Sequence, residues 1–434
     1  MSILYALIAL AILVTIHEGG HFLAAKLMGV YVEKFSIGFG PKLFSFKYKE
    51  TEYIFALIPL GGYVKMKAEN PSDENSGAED EFESKKWWQK VIIAFAGPFA
   101  NFLLAVFLLI ISAWIGKTYQ DQVPVIGRIL SKSENIFKLN DKILAVNDFK
   151  VRGWNDIINK TNDDKINHYT ILRNNKKIDI SSDINKKFWY ENILPKADAI
   201  IGDVAPGLPA YSAGLQSGDK ICAIDSVKIN SWYEMRALII NNPKNKINLT
   251  IERNGTFFNK EVDLQTNVMD NSKIIGITQK LPIKIVEKFG IISGIRFGLL
   301  SSIGYTIAYY QGLGKLIMKP SSIKDNVGGP VMLYSISKQT AKKGFDAIIS
   351  LFSSISLMLM VMNLLPIPIL DGGQILFYTI EGIIRKPLNV KVQVALQNVG
   401  LLLLLSLMVF AFYNDFSKLF IRHNSIIKTE STIK

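Results

Sequence analysis

The stretch from Val91 to Ile115 contains no charged side chain, and it restricts the possible folds of this chain more than any other feature. A segment of this length and composition can cross a lipid bilayer as a helix. Because the hydrocarbon interior offers no water to backbone N–H and C=O groups, the segment must satisfy them internally, and a single run does so only as an α-helix. The chain is therefore predicted to be a helical membrane protein.

Three further segments share this apolar character. They are Ser2 to Ile16 together with Phe22 to Ala25, Ile348 to about Leu365, and about Val392 to Tyr413. Lysines follow the first span and precede the second, so the positive-inside rule places the amino terminus outside and the loop between these spans in the cytoplasm. We predict four spans and two external termini. The run from Phe289 to Met318 contains Arg296 and many small residues, and we predict an amphipathic helix lying in the membrane interface.

Between the second and third spans lies a polar region, which this orientation places outside the cytoplasm. It contains short apolar alternations such as Lys220 to Ile224 and Ile247 to Ile251. Alternation of this kind, broken by Asn, Gly and Pro, is typical of strands in small β-rich domains. Residues 70 to 84 are acidic and rich in Gly and Ser, and they are predicted to form an exposed cytoplasmic loop.

Composition argues against several classes of function. The net charge is +13, but the lysines are scattered, so we expect anionic lipid headgroups as partners and no nucleic acid. The single cysteine, Cys222, excludes an intrachain disulfide and a cysteine-based zinc site, and its apolar neighbours predict a buried thiol. The four histidines, His17, His21, His168 and His423, limit where a His-ligated metal can lie.

The motif His17-Glu18-Gly19-Gly20-His21 points to metal chemistry. On a helix the two histidines share one face, so both imidazoles can bind one zinc ion. Glu18 then lies beside the metal, where it can take a proton from water and pass it to the leaving amine. The alternative is two unrelated histidines near a helix end. Ionisable residues in a membrane span are costly and usually functional, which argues against that alternative.

A catalytic zinc ion usually has three protein ligands, so a further donor must come from elsewhere in the chain. Asp371 is the only carboxylate in or just after the third span. The preceding Pro366 and Pro368 prevent a regular helix, and broken helices at membrane depth are tolerated where they line a cavity. We therefore favour Asp371 as the third ligand over a simple Asp-Gly turn at a helix end.

These residues resemble the site-2 protease family of intramembrane zinc proteases, in its bacterial regulator-of-sigma-E form. The resemblance covers nearly the whole chain, and its motifs are His17-Glu18-x-x-His21, Asn363-x-x-Pro366-x-Pro368-x-Leu370-Asp371-Gly372, Gly38 to Pro41, Gly61 to Met66, and Phe95-Ala96-Gly97-Pro98-x-x-Asn101. It implies that His17, His21 and Asp371 bind zinc and that Glu18 is the catalytic base. It also implies that Asn363 holds the substrate backbone or the developing oxyanion.

The same resemblance assigns roles to other stretches. Residues 53 to 66 are predicted to form a hairpin that dips toward the membrane and pairs with an unwound substrate strand; an ordinary cytoplasmic hairpin is the alternative. Residues 195 to 266, with Ala213-Gly214-Leu215, resemble a bacterial PDZ domain. Residues 120 to 190 resemble a reduced first copy without that element, so peptide binding by this copy is not implied. In this family, tandem PDZ domains are thought to filter substrates by size.

The expected fold is a polytopic α-helical membrane protein of about four transmembrane helices with an inserted extracytoplasmic β-rich PDZ region. The expected segments are a first transmembrane helix (1–30), a membrane-associated β-loop region (31–90), a second transmembrane helix (91–116), a degenerate PDZ-like domain (120–190), a PDZ domain (195–266), an amphipathic interfacial helix (285–320), a third transmembrane helix (345–373), a fourth (392–414) and a tail (415–434).

The expected function is zinc-dependent cleavage of transmembrane segments in single-pass proteins, of the anti-sigma factor or remnant signal peptide type, in the bacterial inner membrane. A catalytically silent PDZ-bearing protein that binds membrane clients is the main alternative, and the presence of Glu18 argues against it. A membrane-anchored zincin with a cytoplasmic active site would usually take a downstream Glu or His ligand. Metal transport would need a relay of intramembrane donors, and the sequence offers one three-ligand site. The oligomeric state stays open.

Overall fold

The computed structural model describes residues 2–69, 76–130, 136–267, 270–318, 329–341 and 344–433. The chain divides into a helical unit and a β-rich unit, and the β-rich unit consists mainly of residues 118–287. The helices are α1 (Ser2–Leu27), α2 (Trp87–Ile115), α3 (Trp154–Lys160), α4 (Lys186–Asn192), α5 (Pro209–Ser212), α6 (Trp232–Ile240), α7 (Ile291–Met318), α8 (Pro330–Ala341), α9 (Phe345–Asn363), α10 (Asp371–Ile384) and α11 (Val390–Ile433).

The strands of the helical unit form one long hairpin, and the remaining strands belong to the β-rich unit. The strands are β1 (Val32–Tyr48), β2 (Thr51–Met66), β3 (Lys117–Asp121), β4 (Ile126–Ile129), β5 (Lys142–Val146), β6 (Phe149–Lys150), β7 (Asn167–Arg173), β8 (Lys176–Ser182), β9 (Ile193–Pro195), β10 (Ile201–Val204), β11 (Lys220–Ile224), β12 (Val227–Lys228), β13 (Lys246–Arg253), β14 (Thr256–Asp263), β15 (Gln265–Thr266), β16 (Lys273–Ile274), β17 (Ile277–Gln279) and β18 (Ile283–Glu287).

Small residues bring the helices of the helical unit close together. A Cβ atom added to Gly20 of α1 would lie 2.3 Å from the carbonyl oxygen of Ala96 in α2. On the other side of α2, the fully buried Ser356 of α9 donates its hydroxyl hydrogen to the carbonyl oxygen of Asn101, at 2.8 Å. Contacts of this kind are typical of helices that pack within a membrane, where the backbones approach closely at Gly, Ala and Ser.

Within the described residues, the helices long and apolar enough to cross a membrane are α2, α7, α9 and the Val390–Ser417 part of α11. The predicted second, third and fourth spans lie in α2, α9 and α11. By length and composition α7 is also a possible span, whereas its sequence favoured a helix in the interface. Its small residues Gly294, Gly298 and Ser302 are buried, and Gly298 lies against Val106 and Ile110 of α2. The low hydropathy of α7 thus comes partly from packing residues, and its interfacial position stays a prediction.

The hairpin of β1 and β2 folds back on itself to form a small sheet. Residues 34–37 pair on one side with residues 62–65 and on the other with residues 52–55, which also pair with the second half of β1. Gly38 and Gly61 have positive φ angles of 95° and 140° at the bends, a conformation that disfavours a Cβ atom. The sheet therefore includes all of β1, whereas the sequence predicted a hairpin within residues 53 to 66.

The predicted acidic loop lies in part outside the described residues. In its described half Ser76, Gly77, Glu79 and Ser84 are exposed as predicted, whereas Glu81 and Phe82 are buried. Phe82 is 2% exposed and joins a cluster with Ala25, Val32 and Ile93. Glu81 is equally buried and accepts hydrogen bonds from the backbone N–H groups of the preceding turn. The apolar contacts of Phe82 and the hydrogen bonds of Glu81 explain why these two residues depart from the predicted exposed loop.

The β-rich unit contains two copies of one four-stranded sheet, with the orders β6-β5-β7-β8 and β12-β11-β13-β14. In each copy two-residue loops with positive φ join the strands, at Asn147-Asp148, Asn174-Asn175, Asp225-Ser226 and Asn254-Gly255. Such loops match the twist of antiparallel strands and favour Asn, Asp and Gly. Each sheet covers its own apolar core.

Short strand pairs complete both copies. In the first copy β4 pairs with β9, and in the second β10 pairs with β17. The copies therefore extend to residues 195 and 279, beyond the predicted limits of 190 and 266. Cys222 in β11 is partly exposed, which corrects the expected buried thiol: alternate residues of a strand point to opposite faces, and its neighbour Ile221 occupies the core.

Candidate metal centre and active site

The two histidines of the motif face each other on the last turns of α1. Their ring centroids lie 4.8 Å apart in an edge-on arrangement, and their Nε2 atoms are 3.3 Å apart. Gly97 of α2 makes room for the second ring, since an added Cβ atom would lie 2.2 Å from Nε2 of His21. The helix thus presents both Nε2 atoms to one point, as the i, i+4 spacing predicted.

Asp371 completes this arrangement from the far end of the chain. The α9 helix ends at Asn363, residues 364–370 form an irregular turn, and Asp371 is the first residue of α10. Its Oδ2 atom lies 3.2 Å from Nε2 of His17, and its Oδ1 atom lies 3.5 Å from Nε2 of His21. Gly372 must be a glycine here, because an added Cβ atom would lie 2.4 Å from the carbonyl oxygens of two residues in the turn.

The three donors fit a tetrahedral zinc site. With zinc–ligand bonds of about 2.0–2.1 Å, neighbouring ligand atoms of a tetrahedron lie about 3.3–3.4 Å apart. The two Nε2 atoms are 3.3 Å apart, close to this value, and each lies 3.2–3.5 Å from a different carboxylate oxygen of Asp371. One ligand atom from each residue places the three donors within 4.8 Å of one another. The Oδ2 atom of Asp371 is buried without a hydrogen-bond partner, which is costly unless a cation or donor binds it. Two imidazoles and one carboxylate are also a ligand set used by catalytic zinc.

Glu18 lies beside this cluster on the wall of a cavity of about 300 Å³. Its carboxylate accepts a hydrogen bond from the backbone of Val64 in β2. Gly62 passes so close that an added Cβ atom would lie 3.1 Å from Cγ of Glu18. The strand of residues 61–66 therefore borders the cavity, and within the described residues it pairs only with β1.

Asn363 lies at the metal-binding side of His17. Its Nδ2 atom is 3.1 Å from Nε2 of that histidine. An amide N–H group in this position can donate a hydrogen bond to an oxygen held near the cluster. The structure thus brings together all five residues singled out in the sequence as ligands, base or amide donor.

The other histidines lie apart from this site. His168 belongs to β7 of the β-rich unit, where its Nδ1 atom lies 2.9 Å from Oγ of Ser181. The side chain of His423 is outside the described residues.

Sequence reasoning assigned no role to several residues around the cluster, although Asn101 belongs to one of the family motifs. The Nδ1 atom of His21 lies 2.8 Å from the carbonyl oxygen of Ile93, and the Nδ1 atom of His17 lies 3.3 Å from the amide of Asn101. A buried asparagine in an otherwise apolar span was the available signal for the second contact. Polar side chains of α10 and α11 also line the cavity, among them Gln374, Glu381, Gln393 and Gln397.

Comparison with known proteins agrees with this geometry. The model of peptidase family M50 matches residues 5–407. The regulator of sigma-E protease RseP of Escherichia coli is 31% identical over 95% of this chain and 98% of its own length. The regulator of sigma E protease of Haemophilus influenzae is 31% identical over 96% and 100%. A Neisseria meningitidis protein described as a candidate zinc metalloprotease is 32% identical over 96% and 99%.

Among solved structures, the PDZ domain of an SdrC-like protein from Listeria monocytogenes is similar to part of the chain. It covers 20% of this chain and 90% of its own, with 20% identity and a TM-score of 0.18. The two sheets of residues 118–287 and the apolar helices that precede and follow them in the chain agree with the expected helical membrane protein with an inserted β-rich region.

Proposed function

The chain belongs to peptidase family M50, and we propose from this premise that it is an intramembrane zinc endopeptidase that cleaves transmembrane segments of single-pass membrane proteins. The observation that carries the proposal is the convergence of His17, His21 and Asp371 beside Glu18, against α2 and α9, two helices long and apolar enough to cross a membrane. We further propose anti-sigma factors or remnant signal peptides as substrates and the bacterial inner membrane as the location. Relatives named as regulators of sigma E support this choice.

The protein residues divide the chemistry among them. His17, His21 and Asp371 would hold the zinc ion, which when bound polarises the scissile carbonyl and makes water a stronger acid. Glu18 takes one proton from the attacking water and delivers it to the amide nitrogen as the C–N bond breaks. The Asn363 amide donates a hydrogen bond to the carbonyl oxygen as negative charge develops there.

The strand of residues 61–66 is suited to present the substrate to these groups. A transmembrane helix must unwind before its peptide bonds can be attacked, and an unwound segment needs partners for its backbone groups. An exposed strand edge supplies them by β-augmentation. The strand borders the cavity at Gly62 and Val64, so a peptide paired with it would run past Glu18.

The proposal is tested by cleavage of a reporter with a destabilised transmembrane helix, in detergent, by wild type and Glu18→Gln. Glutamine keeps the size of the side chain and leaves all three ligands in place, but it cannot accept the proton. We expect the variant to lose at least about 100-fold in rate. Glu191→Gln is the matched control, because this glutamate is exposed in α4. Equal cleavage by wild type and Glu18→Gln would exclude Glu18 as the base.

A second activity, peptide binding by the second β-rich copy, is favoured by a groove of about 290 Å³. One wall is α6, with Trp232 and Met235, and the other is the segment that leads into β17. In the part of the chain that the structure describes, β17 is paired along one edge, with β10. An extended peptide added along β17 would hold clients whether or not they are cut, so this groove also suits the alternative of a silent binding protein. Retained peptide binding with lost cleavage in Glu18→Gln would separate the two activities.

A further inference from the structure

Asn101 occupies a junction of three helices behind the metal cluster. It lies in α2 and is 1% exposed. Its backbone carbonyl accepts the hydroxyl hydrogen of Ser356 in α9, and its side-chain amide lies against the ring of His17 in α1. The backbone of Asn101 is therefore joined to α9, its side chain lies against α1, and the residue is shielded from water.

The proton arrangement on His17 follows from the direction of its two ring nitrogens. The Nε2 atom faces Asp371 and His21, so it must offer a lone pair to a metal ion. A neutral imidazole has one N–H group and one lone pair, and the N–H group is therefore at Nδ1. This N–H group points at the Asn101 amide, 3.3 Å away.

The Asn101 amide has one orientation that satisfies both partners. With Nδ2 against the ring, two donors face each other, and Oδ1 is buried without a hydrogen-bond partner. A half-turn of the amide places Oδ1 against Nδ1, so that the oxygen accepts the ring N–H and only the amide Nδ2 stays without a partner, instead of the ring N–H, Nδ2 and Oδ1 together. Because each unpaired buried polar group is costly, this second orientation is favoured.

His21 shows the same arrangement with a different acceptor. Its Nδ1 atom lies 2.8 Å from the carbonyl oxygen of Ile93. Both histidines therefore direct Nε2 at the cluster and Nδ1 at an oxygen of α2. The acceptor of His21 belongs to the backbone and no substitution removes it, whereas the acceptor of His17 is a side chain.

We propose that Asn101 is a positioning residue: its Oδ1 atom accepts the Nδ1–H of His17 and holds that ring in the tautomer and orientation needed for metal binding. The inference rests on the proposed function, since it assumes that His17 is a zinc ligand. Outer partners of metal-bound histidines typically contribute about 10–100-fold to metal affinity. Asn101 itself touches neither metal nor substrate.

The experiment measures zinc dissociation constants by chelator competition on the full-length protein in detergent, with every variant carrying Glu18→Gln to prevent cleavage. Asn101→Leu keeps the volume and removes the acceptor, and we expect a dissociation constant raised by about 10–100-fold. Asn101→Asp keeps an acceptor oxygen at the same place and should stay within a few-fold of the parent protein. Ser356→Ala removes the other hydrogen bond of this junction and should leave zinc affinity unchanged.

The outcomes separate the inference from the function on which it rests. Parent-like zinc affinity in Asn101→Leu overturns the positioning role, as does an equal loss in Asn101→Leu and Asn101→Asp while both keep the parent's thermal unfolding without metal. An Asn101→Leu protein that fails to fold shifts the decision to Asn101→Asp and Asn101→Ser, where rescue by Asp alone supports the role. A parent protein that binds no zinc would instead overturn the proposed function.

Discussion

The two β-rich copies have the same strand order, but they differ in what lies beside α3 in the first copy and α6 in the second. Both sheets have the same strand order, and in both an arginine at the end of the third strand binds a buried aspartate with two hydrogen bonds. These pairs are Arg173 with Asp141 and Arg253 with Asp219, and each aspartate is about 1% exposed. The same kind of buried ion pair thus stabilises the sheet in both copies.

The difference lies in the segment that leads into the closing strand. In the second copy this segment runs through β16 and leaves an open groove against α6. In the first copy it is the helix α4, whose Trp189 is fully buried against Trp154 of α3 and Tyr169 of β7. Trp154 begins α3 just as Trp232 begins α6. The first copy therefore fills with the side chain of Trp189 the space that stays open as a groove in the second copy.

Substitution of Trp189 should have the largest effect on the difference between the two copies. Trp189→Ala should destabilise the first copy by about 5 kcal/mol, the upper end of the cost of truncating a buried Trp, because the hydrogen bond to the Tyr169 hydroxyl is also lost. Hydrogen exchange of β7 peptides in the full-length protein measures this. Tyr190→Ala, at an exposed neighbour, should leave exchange unchanged. Wild-type protection in Trp189→Ala would show that Trp189 does not support the core.

Substitution of the two arginines tests whether the buried ion pair contributes equally to the stability of both copies. Arg253→Met and Arg173→Met each leave a buried aspartate without its partner, which should cost about 3 kcal/mol in the affected copy. Arg236→Met, on α6, is the control, and it should cost less than about 0.5 kcal/mol. Exchange of β13 and β7 peptides reports on the two copies separately. If only one of the two variants lost protection in its own copy, the two ion pairs would not be equivalent.

A substitution at Gly276 tests the segment that borders the open groove. Its φ angle is +83°, and an added Cβ atom would lie 2.3 Å from Cβ of Leu208. Gly276→Ala should cost about 2–3 kcal/mol from backbone strain and from this contact together. Gly218→Ala is matched, because its φ angle is +94° with open space around it, and it should cost about 1–2 kcal/mol from strain alone. Equal effects on exchange of β11 peptides would rule out the close contact.

The smallest expected effect is a pH dependence confined to the first copy. A hydrogen bond from the Arg152 guanidinium lowers the pKa of Asp156 from its ordinary value of 3.8. Burial opposes this shift, and the backbone N–H of Arg152 and the charges of Arg152 and Lys160 add to it. Asn230 stands in place of Arg152 in the second copy and donates one backbone hydrogen bond to Glu234. A lowered carboxyl pKa stabilises the folded state above pH about 4, and this contribution is lost as the pH falls through the lower folded-state value.

The measurement for this pair is the melting temperature of wild type and Asp156→Asn between pH 7 and pH 3. Because Arg152 is half exposed, the stabilisation should be below about 1 kcal/mol. The gap between the two proteins should be present at pH 7 and close toward pH 3. A gap that is constant across this range would mean that ionisation of Asp156 does not contribute.

The sequence predicted the local parts of the active site well and the distant parts less completely. His17, Glu18 and His21 lie within one helical turn, so their spacing alone fixes their geometry. Asp371 was inferred by elimination among carboxylates near spans, and the structure places it at the cluster. The closeness of Asn101 to His17 had no local signature, because these residues lie 84 positions apart.

The sequence by itself determined the apolar helices, the Asn- and Gly-rich turns of the two sheets and the histidine pair, because each depends on neighbours within a few residues. Only the tertiary structure decided that Gly97 leaves room for His21, that Asn363 lies beside His17, and that Trp189 fills its own groove. These contacts join residues from distant segments, and they depend on how closely whole helices and strands pack. Periodicity along the chain records which face of an element is apolar, but it does not record which other element covers that face.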